Sequence, residues 1–226
     1  ALVPELLRLG HKVTVYDLLF FGRNHLPIGH KNLKLISGDI RDIKRLFDAM
    51  VGHHALLNLA CISNDASFEL DESVSTSINM NAFEPMVNAA KQAGIKRFIY
   101  ASSSSVYGVS DAKNVTEDHP LLPLTLYNKY KGMCEPILNG FGSENFTVTT
   151  FRPATVCGYA PRLRLDLSVN ILTNHAITNN EIKVFVDENI DKLKQDYIDF
   201  SYVNISPKNL IGLEEFNQVF FDKIDE

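Results

Sequence analysis

Short β-branched or apolar segments alternate with helical segments through most of this chain, and this alternation constrains the fold more than any other feature. The predicted strands are 12–17, 33–37, 55–60, 97–101 and 147–151, and the predicted helices are 1–9, 41–50, 79–93, 124–138 and 165–177. Helical crossovers make consecutive strands parallel, and fully apolar strands are typical of a sheet covered on both faces. We therefore predict an α/β protein with a Rossmann-type doubly wound parallel sheet.

Charge and cysteine content argue against several classes of protein. The formal net charge is −5 and there is no Lys/Arg run, so we expect no nucleic-acid partner and no membrane-surface partner. The cysteines Cys61, Cys134 and Cys157 are an odd number and form no CxxC pair. This pattern predicts reduced thiols, no metal site and a cytoplasmic location. No apolar stretch is long enough to span a bilayer.

Polar residues follow three of the predicted strands, and in a parallel sheet the carboxyl ends of the strands form the ligand-binding edge. They are Asp17, Gly38-Asp39 and the run Ser102–Ser105. In a dinucleotide-binding fold, an acid at the position of Asp17 accepts hydrogen bonds from the adenosine ribose hydroxyls and repels a 2′-phosphate. The alternative is an ordinary turn acid.

Tyr127 and Lys131 form a YxxxK motif on a predicted helix. Residues four apart lie on one helical face, and an ammonium close to a phenol favours the phenolate. The tyrosine can then exchange a proton with a substrate hydroxyl or carbonyl. The alternative is a solvated i,i+4 pair, and a lone YxxxK decides nothing.

The serine run before Tyr107 places hydroxyls where they can hydrogen-bond a carbonyl oxygen and stabilise developing charge. The alternative is a serine-rich turn that satisfies its own backbone. The order of a serine run at a strand end, then a loop, then YxxxK on the next helix favours the catalytic interpretation.

In this order the motifs resemble those of the extended short-chain dehydrogenase/reductases, the nucleotide-sugar epimerase and dehydratase group, from Ala1 to about Phe185. The segments that carry the resemblance are Gly38-Asp39-Ile40, Asn58-Leu59-Ala60-Cys61, Asn79-Met80-Asn81, Ser102–Gly108, the Tyr127/Lys131 pair and Arg152–Gly158. The resemblance implies NAD as cofactor and a sugar linked to a nucleoside diphosphate as substrate. It also implies a possible homodimer in which the helices 79–93 and 124–138 form a four-helix interface.

The resemblance assigns roles residue by residue. Ser103, Tyr127 and Lys131 take the catalytic positions, and Lys131 also holds the nicotinamide ribose. The implied cofactor-binding residues are Asp17, Asp39, Ile40, Leu59, Ala60, Asn79, Ser102, Tyr127, Lys131 and Pro153. The implied substrate-binding residues are Ser104, Ser105, Arg162 and Asn170. Residues 1–160 are the predicted NAD-binding domain, and residues 161–226 are a small, incomplete substrate-binding lobe.

Three departures from the family pattern qualify this expectation. The chain opens inside a helical pattern ended by Gly10, without a GxxGxxG turn; we expect that the first strand and turn are missing and that residues 1–226 alone bind NAD weakly or not at all. Ser104 and Ser105 stand where sugar 4,6-dehydratases have Asp-Glu. Ile198 replaces the arginine of the family's R-D-F-x-Y-V-x-D segment, which places diphosphate binding in doubt.

The resemblance implies an NAD-dependent nucleotide-sugar epimerase that acts through a transient keto sugar. Two alternatives stay open. One is an NAD(P)-dependent sugar or hydroxyketone reductase. The other is a catalytically inactive remnant or binding protein that reuses the fold.

Overall fold

The computed structural model describes residues 1–63, 65–161, 164–165 and 167–179. The strands in this part of the chain are β1 Val13–Asp17, β2 Leu33–Ser37, β3 Ala55–Asn58, β4 Arg97–Ala101 and β5 Thr147–Phe151. The α-helices are α1 Leu2–Arg8, α2 Ile43–Met50, α3 Asp65–Glu69, α4 Glu72–Thr76, α5 Phe83–Gln92, α6 Leu126–Phe141 and α7 Ser168–Asn179. A π-helical turn covers Ser77–Asn81, and a 3-10 turn covers Ser104–Tyr107.

All strand pairs are parallel, as the alternation predicts. β1 pairs with β2, and Asp17 lies opposite Ser37 at their carboxyl ends. β4 pairs with β3 on one side and β5 on the other, which brings Ala101 opposite Phe151. The described strands thus form two parallel sheets. Among the described residues, β1 pairs with one strand only, and so does β3. The α/β class and Rossmann-type architecture predicted from the sequence are confirmed.

The hydrophobic core packs α2, α5 and α6 against the sheet β3–β4–β5. Val87, Phe98 and Leu138 are fully buried in it, together with the Cys134 side chain. Burial raises the pKa of the Cys134 thiol to about 11, so this cysteine is a neutral packing residue at physiological pH. The core packs α6 beside β4, and the motifs predicted to be catalytic lie on α6 and directly after β4.

The helix predicted over 79–93 is divided, and its proline explains why. Ala82 N donates to Ser77 O in the wide pattern of a π-helix, and regular α-helix resumes at Phe83. Pro85 has no N–H to donate to Asn81 O. The backbone hydrogen bonds of the turn before it therefore change from the α-helical to the π-helical pattern. The short helices α3 and α4 were not predicted, although Asp71 caps α4 by accepting from Val74 N at 3.0 Å.

The fold divides into two compact units, Ala1–Val156 and a second that begins at Cys157. Within the second unit, the side-chain amide of Asn170, on α7, donates to Arg164 O and accepts from Gly158 N. These bonds hold the segment before α7 to the first turn of the helix. The predicted substrate residue Arg162 and the segment around Ile198 lie outside the described residues. None of the helices described is long and apolar enough to cross a membrane.

Candidate active site

The predicted site residues follow the carboxyl ends of the strands, and a cleft joins several of them. Asp17 ends β1, Ile40 follows β2, and Ala60 follows β3. The cleft is lined by Ile40, Asn58, Ala60, Cys61, Ile78, Asn79, Phe83, Met86, Tyr100 and Lys131. Four residues assigned to the cofactor therefore share one cleft although they are spread over more than ninety positions of the chain.

Lys131 is the best-defined of the side chains predicted to be catalytic. It is buried, and its Nζ donates to the carbonyl oxygen of Ala101 at 2.7 Å, at the end of β4. The same Nζ lies 5.1 Å from the ring centroid of Tyr100 and 5.9 Å from that of Tyr127. The predicted arrangement of an ammonium beside the Tyr127 ring is present, and the backbone of β4 holds the ammonium in place.

The start of α6 orients Tyr127. Thr125 caps the helix, and its Oγ1 accepts from Asn128 N at 3.3 Å. A threonine N-cap is typical of helix starts because it satisfies one of the free N–H groups of the first turn. Tyr127 therefore lies in the first turn of a capped helix, and Lys131 follows one turn later.

The hydroxyls of Ser103 and Ser105, before Tyr107, are already hydrogen-bonded. Ser103 Oγ and Ser105 Oγ are 2.6 Å apart, and Ser105 Oγ donates to Asn128 Oδ1 at 2.5 Å. Ser104 N donates to Pro153 O at 2.9 Å, which ties the 3-10 turn to the segment after β5. The serine turn is thus fixed to α6 through side chains and to the end of β5 through the backbone.

A buried ion pair lies beneath the serine turn. Arg152 Nη2 and Glu135 Oε2 are 2.6 Å apart, and Ser102 Oγ donates to Glu135 Oε1 at 2.6 Å. Arg152 Nη1 donates to Tyr107 Oη at 2.9 Å and to Glu117 O at 2.7 Å. Bonding to Glu135 raises the pKa of the Arg152 guanidinium above its ordinary value. The network joins the ends of β4 and β5 to α6, and the Ser102 hydroxyl is bound within it.

Asn79 fixes the segment that follows β3. Its Oδ1 accepts from Ile62 N at 2.8 Å, and its Nδ2 donates to Ile62 O at 2.9 Å. Both ends of the amide are used on one residue, so Asn79 holds the loop in which Leu59 and Ala60 are exposed. The structure therefore places Asn79 as a support for the predicted cofactor-binding segment.

The predicted adenosine end of the site lies after β1 and β2. Asp17 is exposed, and its Oδ1 accepts from Leu19 N at 2.6 Å. Asp39 is ion-paired with Arg41, and bonding to this guanidinium holds the pKa of the Asp39 carboxyl below its usual range. Tyr16 Oη donates to Asp39 O at 2.9 Å. The Asp39 carboxylate is thus engaged by its own loop, while the Asp17 carboxylate stands at the surface.

Gly108 is required by the turn that presents the serines. Its φ is 68° and its ψ is −147°, and a Cβ at this position would overlap the carbonyl oxygen of Leu122. We expect Gly108→Ala to lower the free energy of unfolding by about 2 kcal/mol, because alanine rarely adopts this conformation. The measurement is the urea midpoint.

Gly140→Ala is the matched control for this substitution. Gly140 lies in α6, and a Cβ there meets open space, so alanine should be neutral or slightly stabilising. An equal effect of the two substitutions would contradict the conformational requirement at Gly108.

Three polar residues of this site were not predicted from the sequence as site residues. They are Asn128, Glu135 and Arg152. Glu135 is four positions after Lys131 and eight after Tyr127, so helical spacing carried a signal for it. Asn128 had no periodic signal, because its role depends on contact with Ser105, 23 positions earlier. The roles predicted for Ser104 and Asn170 in substrate binding stay predictions.

The chain is similar in sequence to a known protein family and to several curated proteins. The model of the NAD dependent epimerase/dehydratase family matches residues 1–189. A UDP-glucose 4-epimerase of Rhizobium meliloti (strain 1021) is 28% identical over 144 residues, which cover 61% of this chain and 42% of that protein. A 3-beta-hydroxysteroid dehydrogenase of Mycolicibacterium neoaurum is 27% identical over 208 residues, which cover 87% of this chain and 54% of that protein. The chain thus spans about half the length of these curated relatives.

The fold is also similar to solved structures. The structure of MoeE5 in complex with UDP-glucose and NAD aligns with a TM-score of 0.64 and 26% sequence identity. The alignment covers 82% of this chain and 59% of MoeE5. The likeness extends over most of the described residues.

Proposed function

Because the chain belongs to the NAD-dependent epimerase/dehydratase family, we propose that it is a nucleotide-sugar epimerase that acts through a transient keto sugar. The observation that carries the proposal is the position of Lys131 Nζ between Ala101 O and the Tyr127 ring, beside the serine turn. An ammonium near a phenol favours the phenolate, which can exchange a proton with a sugar hydroxyl. A UDP-glucose 4-epimerase among the relatives supports the choice of substrate class.

NAD is the cofactor of this family, and the described residues suit it. Asp17 offers an exposed carboxylate for ribose hydroxyls, and Ala60 is an exposed residue that lines the cleft. Lys131 lines the same cleft and supplies an ammonium there. When bound in this cleft, NAD would supply the hydride acceptor and donor for the transient oxidation of the sugar.

The protein's own residues would move the proton and orient the substrate. Tyr127 takes the proton of the sugar hydroxyl during oxidation and returns it during reduction. Ser103 orients the substrate oxygen. The ammonium of Lys131 favours the phenolate of Tyr127 and also holds the ribose. Residues 1–160 would form the cofactor-binding domain, and residues 161–226 would form a small substrate-binding lobe.

Epimerisation is favoured over dehydration by the residues of the serine turn. Removal of water needs an acid and a base beside the sugar, and Ser104 and Ser105 offer only hydroxyls. The carboxylate nearest in the hydrogen-bond network, Glu135, is buried, ion-paired with Arg152 and bonded by Ser102. A base that is committed in this way is not available to the substrate.

A second candidate is net dehydrogenation of a hydroxyl compound. The 3-beta-hydroxysteroid dehydrogenase of Mycolicibacterium neoaurum covers more of this chain than the epimerase of Rhizobium meliloti does. The two functions share Tyr127, Lys131 and Ser103, and they differ in whether reduced cofactor is released.

The test expresses the protein from its complete reading frame and incubates it with UDP-sugars and catalytic NAD. Proton NMR should show conversion of one sugar epimer into the other without net formation of NADH. Stoichiometric NADH would favour the dehydrogenase. A protein that binds NAD but converts neither sugars nor hydroxysteroids would contradict the proposal.

Asp17 should select NAD over NADP. We expect NAD to bind about fivefold more tightly, because the carboxylate repels a 2′-phosphate and an exposed like-charge pair costs about 1 kcal/mol. Calorimetric titration of both cofactors measures the ratio. Asp17→Asn should lower it, whereas Asp48→Asn, at an exposed position on α2, should not. Equal or tighter NADP binding by the unmodified protein would show that Asp17 does not face the ribose.

A further inference from the structure

We propose that Asn128 is a positioning residue that sets, through Ser105, the direction in which the Ser103 hydroxyl points its proton. The proposal rests on the function proposed above and names the residue that prepares Ser103 for it. Ser103, Ser105 and Asn128 form a continuous hydrogen-bonded chain, which we call the serine relay.

The sense of the serine relay follows from counting protons. An amide oxygen only accepts, so Ser105 must donate its one hydroxyl proton to Asn128 Oδ1. Ser105 then has only lone pairs to offer, and in the 2.6 Å contact between the two serines Ser103 must be the donor. The Ser103 proton is therefore turned inward, toward Ser105.

A ketone oxygen needs the opposite sense. It has lone pairs only, so Ser103 must donate to it. If the Asn128 amide turns over, its Nδ2 donates to Ser105, Ser105 donates to Ser103, and the Ser103 proton points outward. Each contact within the relay is kept and only its direction changes. No proton is transferred between groups in this reversal.

The backbone holds the relay in place while the amide turns. Ser105 N donates to Ser103 Oγ at 3.2 Å, and Asn128 N is fixed by the Thr125 cap. Asn128 is only 8% exposed, so bulk water competes poorly for its amide. The neighbouring Ser102 hydroxyl donates to Glu135 instead, which leaves the relay separate from the buried ion pair.

A first experiment needs neither cofactor nor sugar. Urea unfolding is measured for Ser103→Ala, Asn128→Ala and the double variant, first with Ser105 present and then in a Ser105→Ala background. We expect the unfolding constants to show a coupling between Ser103 and Asn128 of threefold or more that disappears when Ser105 is removed. Asn128→Leu, which has a similarly branched side chain but no hydrogen-bonding group, replaces Asn128→Ala in the cycle where alanine does not fold.

Absence of this coupling, or equal coupling in both backgrounds, would overturn the relay. The result stands whether or not the protein is an epimerase. Conversely, an absence of turnover in the unmodified protein would contradict the proposed function while the unfolding cycle still decides the relay.

A second experiment measures turnover. An aspartate at position 128 only accepts when ionised, so Asn128→Asp should lock the Ser103 proton inward and lower kcat about tenfold to a hundredfold with little change in KM. Adding Ser105→Ala keeps the new charge but removes the hydroxyl that connects it to Ser103. The Ser103 proton is then free to point outward, and most of the lost turnover should return. Asn139→Asp places the same charge at an exposed position of α6 and should leave kcat unchanged. A double variant no faster than Asn128→Asp would overturn the proposal.

Discussion

Tyr127→Phe is expected to lower turnover by about a hundredfold to ten-thousandfold, the range typical of removing a general acid and base. The substitution removes one hydroxyl and almost no contact area, so the affinity for NAD should be nearly unchanged. Turnover is followed by NMR of the sugar product, and cofactor affinity is measured by calorimetry. Ser103→Ala should have a smaller effect, because it removes an orienting hydroxyl and leaves the path of the proton intact.

Tyr130→Phe is the matched control for this prediction. Tyr130 lies on the same helix, and its ring centroid is 5.7 Å from that of Phe68. Its loss of a hydroxyl should leave turnover close to that of the unmodified protein. Unchanged turnover in Tyr127→Phe would remove the catalytic assignment of Tyr127.

Glu135→Ala is expected to lower the free energy of unfolding by about 3 kcal/mol, because breaking a buried ion pair leaves the partner charge without compensation. The Glu135 side chain is 6% exposed and that of Arg152 is 19% exposed. Ser102 also loses the acceptor of its hydroxyl. We place the effect at the lower end of the usual range, since Arg152 keeps its bonds to Tyr107 and Glu117. The measurement is urea unfolding at neutral pH.

Glu5→Gln provides the comparison for this ion pair. Glu5 pairs with Arg8 on α1, where the Arg8 side chain is 68% exposed, and exposed pairs add little to stability. Its urea midpoint should not change measurably. Glu135→Gln keeps one carbonyl acceptor and should lie between Glu135→Ala and the unmodified protein. A loss for Glu135→Ala no larger than that for Glu5→Gln would mean that the buried pair adds nothing to stability.

The sequence predicted most of the fold because the relevant signals are local. Each predicted strand is present, and the boundaries differ by no more than two residues. Gly10 ends the first helix with a φ of 89°, as its position after the apolar pattern indicated. The prediction of one continuous helix over 79–93 is partly wrong, because Pro85 disturbs the backbone hydrogen bonds of the preceding turn.

Within the candidate site, the sequence by itself determined the residue types and their order along the chain. Tyr127 and Lys131 share a helical face because they are four positions apart, and Ser102–Ser105 follow β4 because the apolar pattern ends at Ala101. These relations depend on the backbone period alone, and a single sequence contains that period.

Only the tertiary structure decided which of these side chains are already hydrogen-bonded. Ser102 is bound to Glu135 over 33 positions, and Ser105 is bound to Asn128 over 23 positions. No local pattern encodes such contacts, because they exist only once α6 packs beside the end of β4. The serine run looked uniform in the sequence, whereas packing binds Ser102 to Glu135 and joins Ser103 through Ser105 to Asn128. Since a hydroxyl has a single proton to donate, those partners decide which serine can serve a substrate.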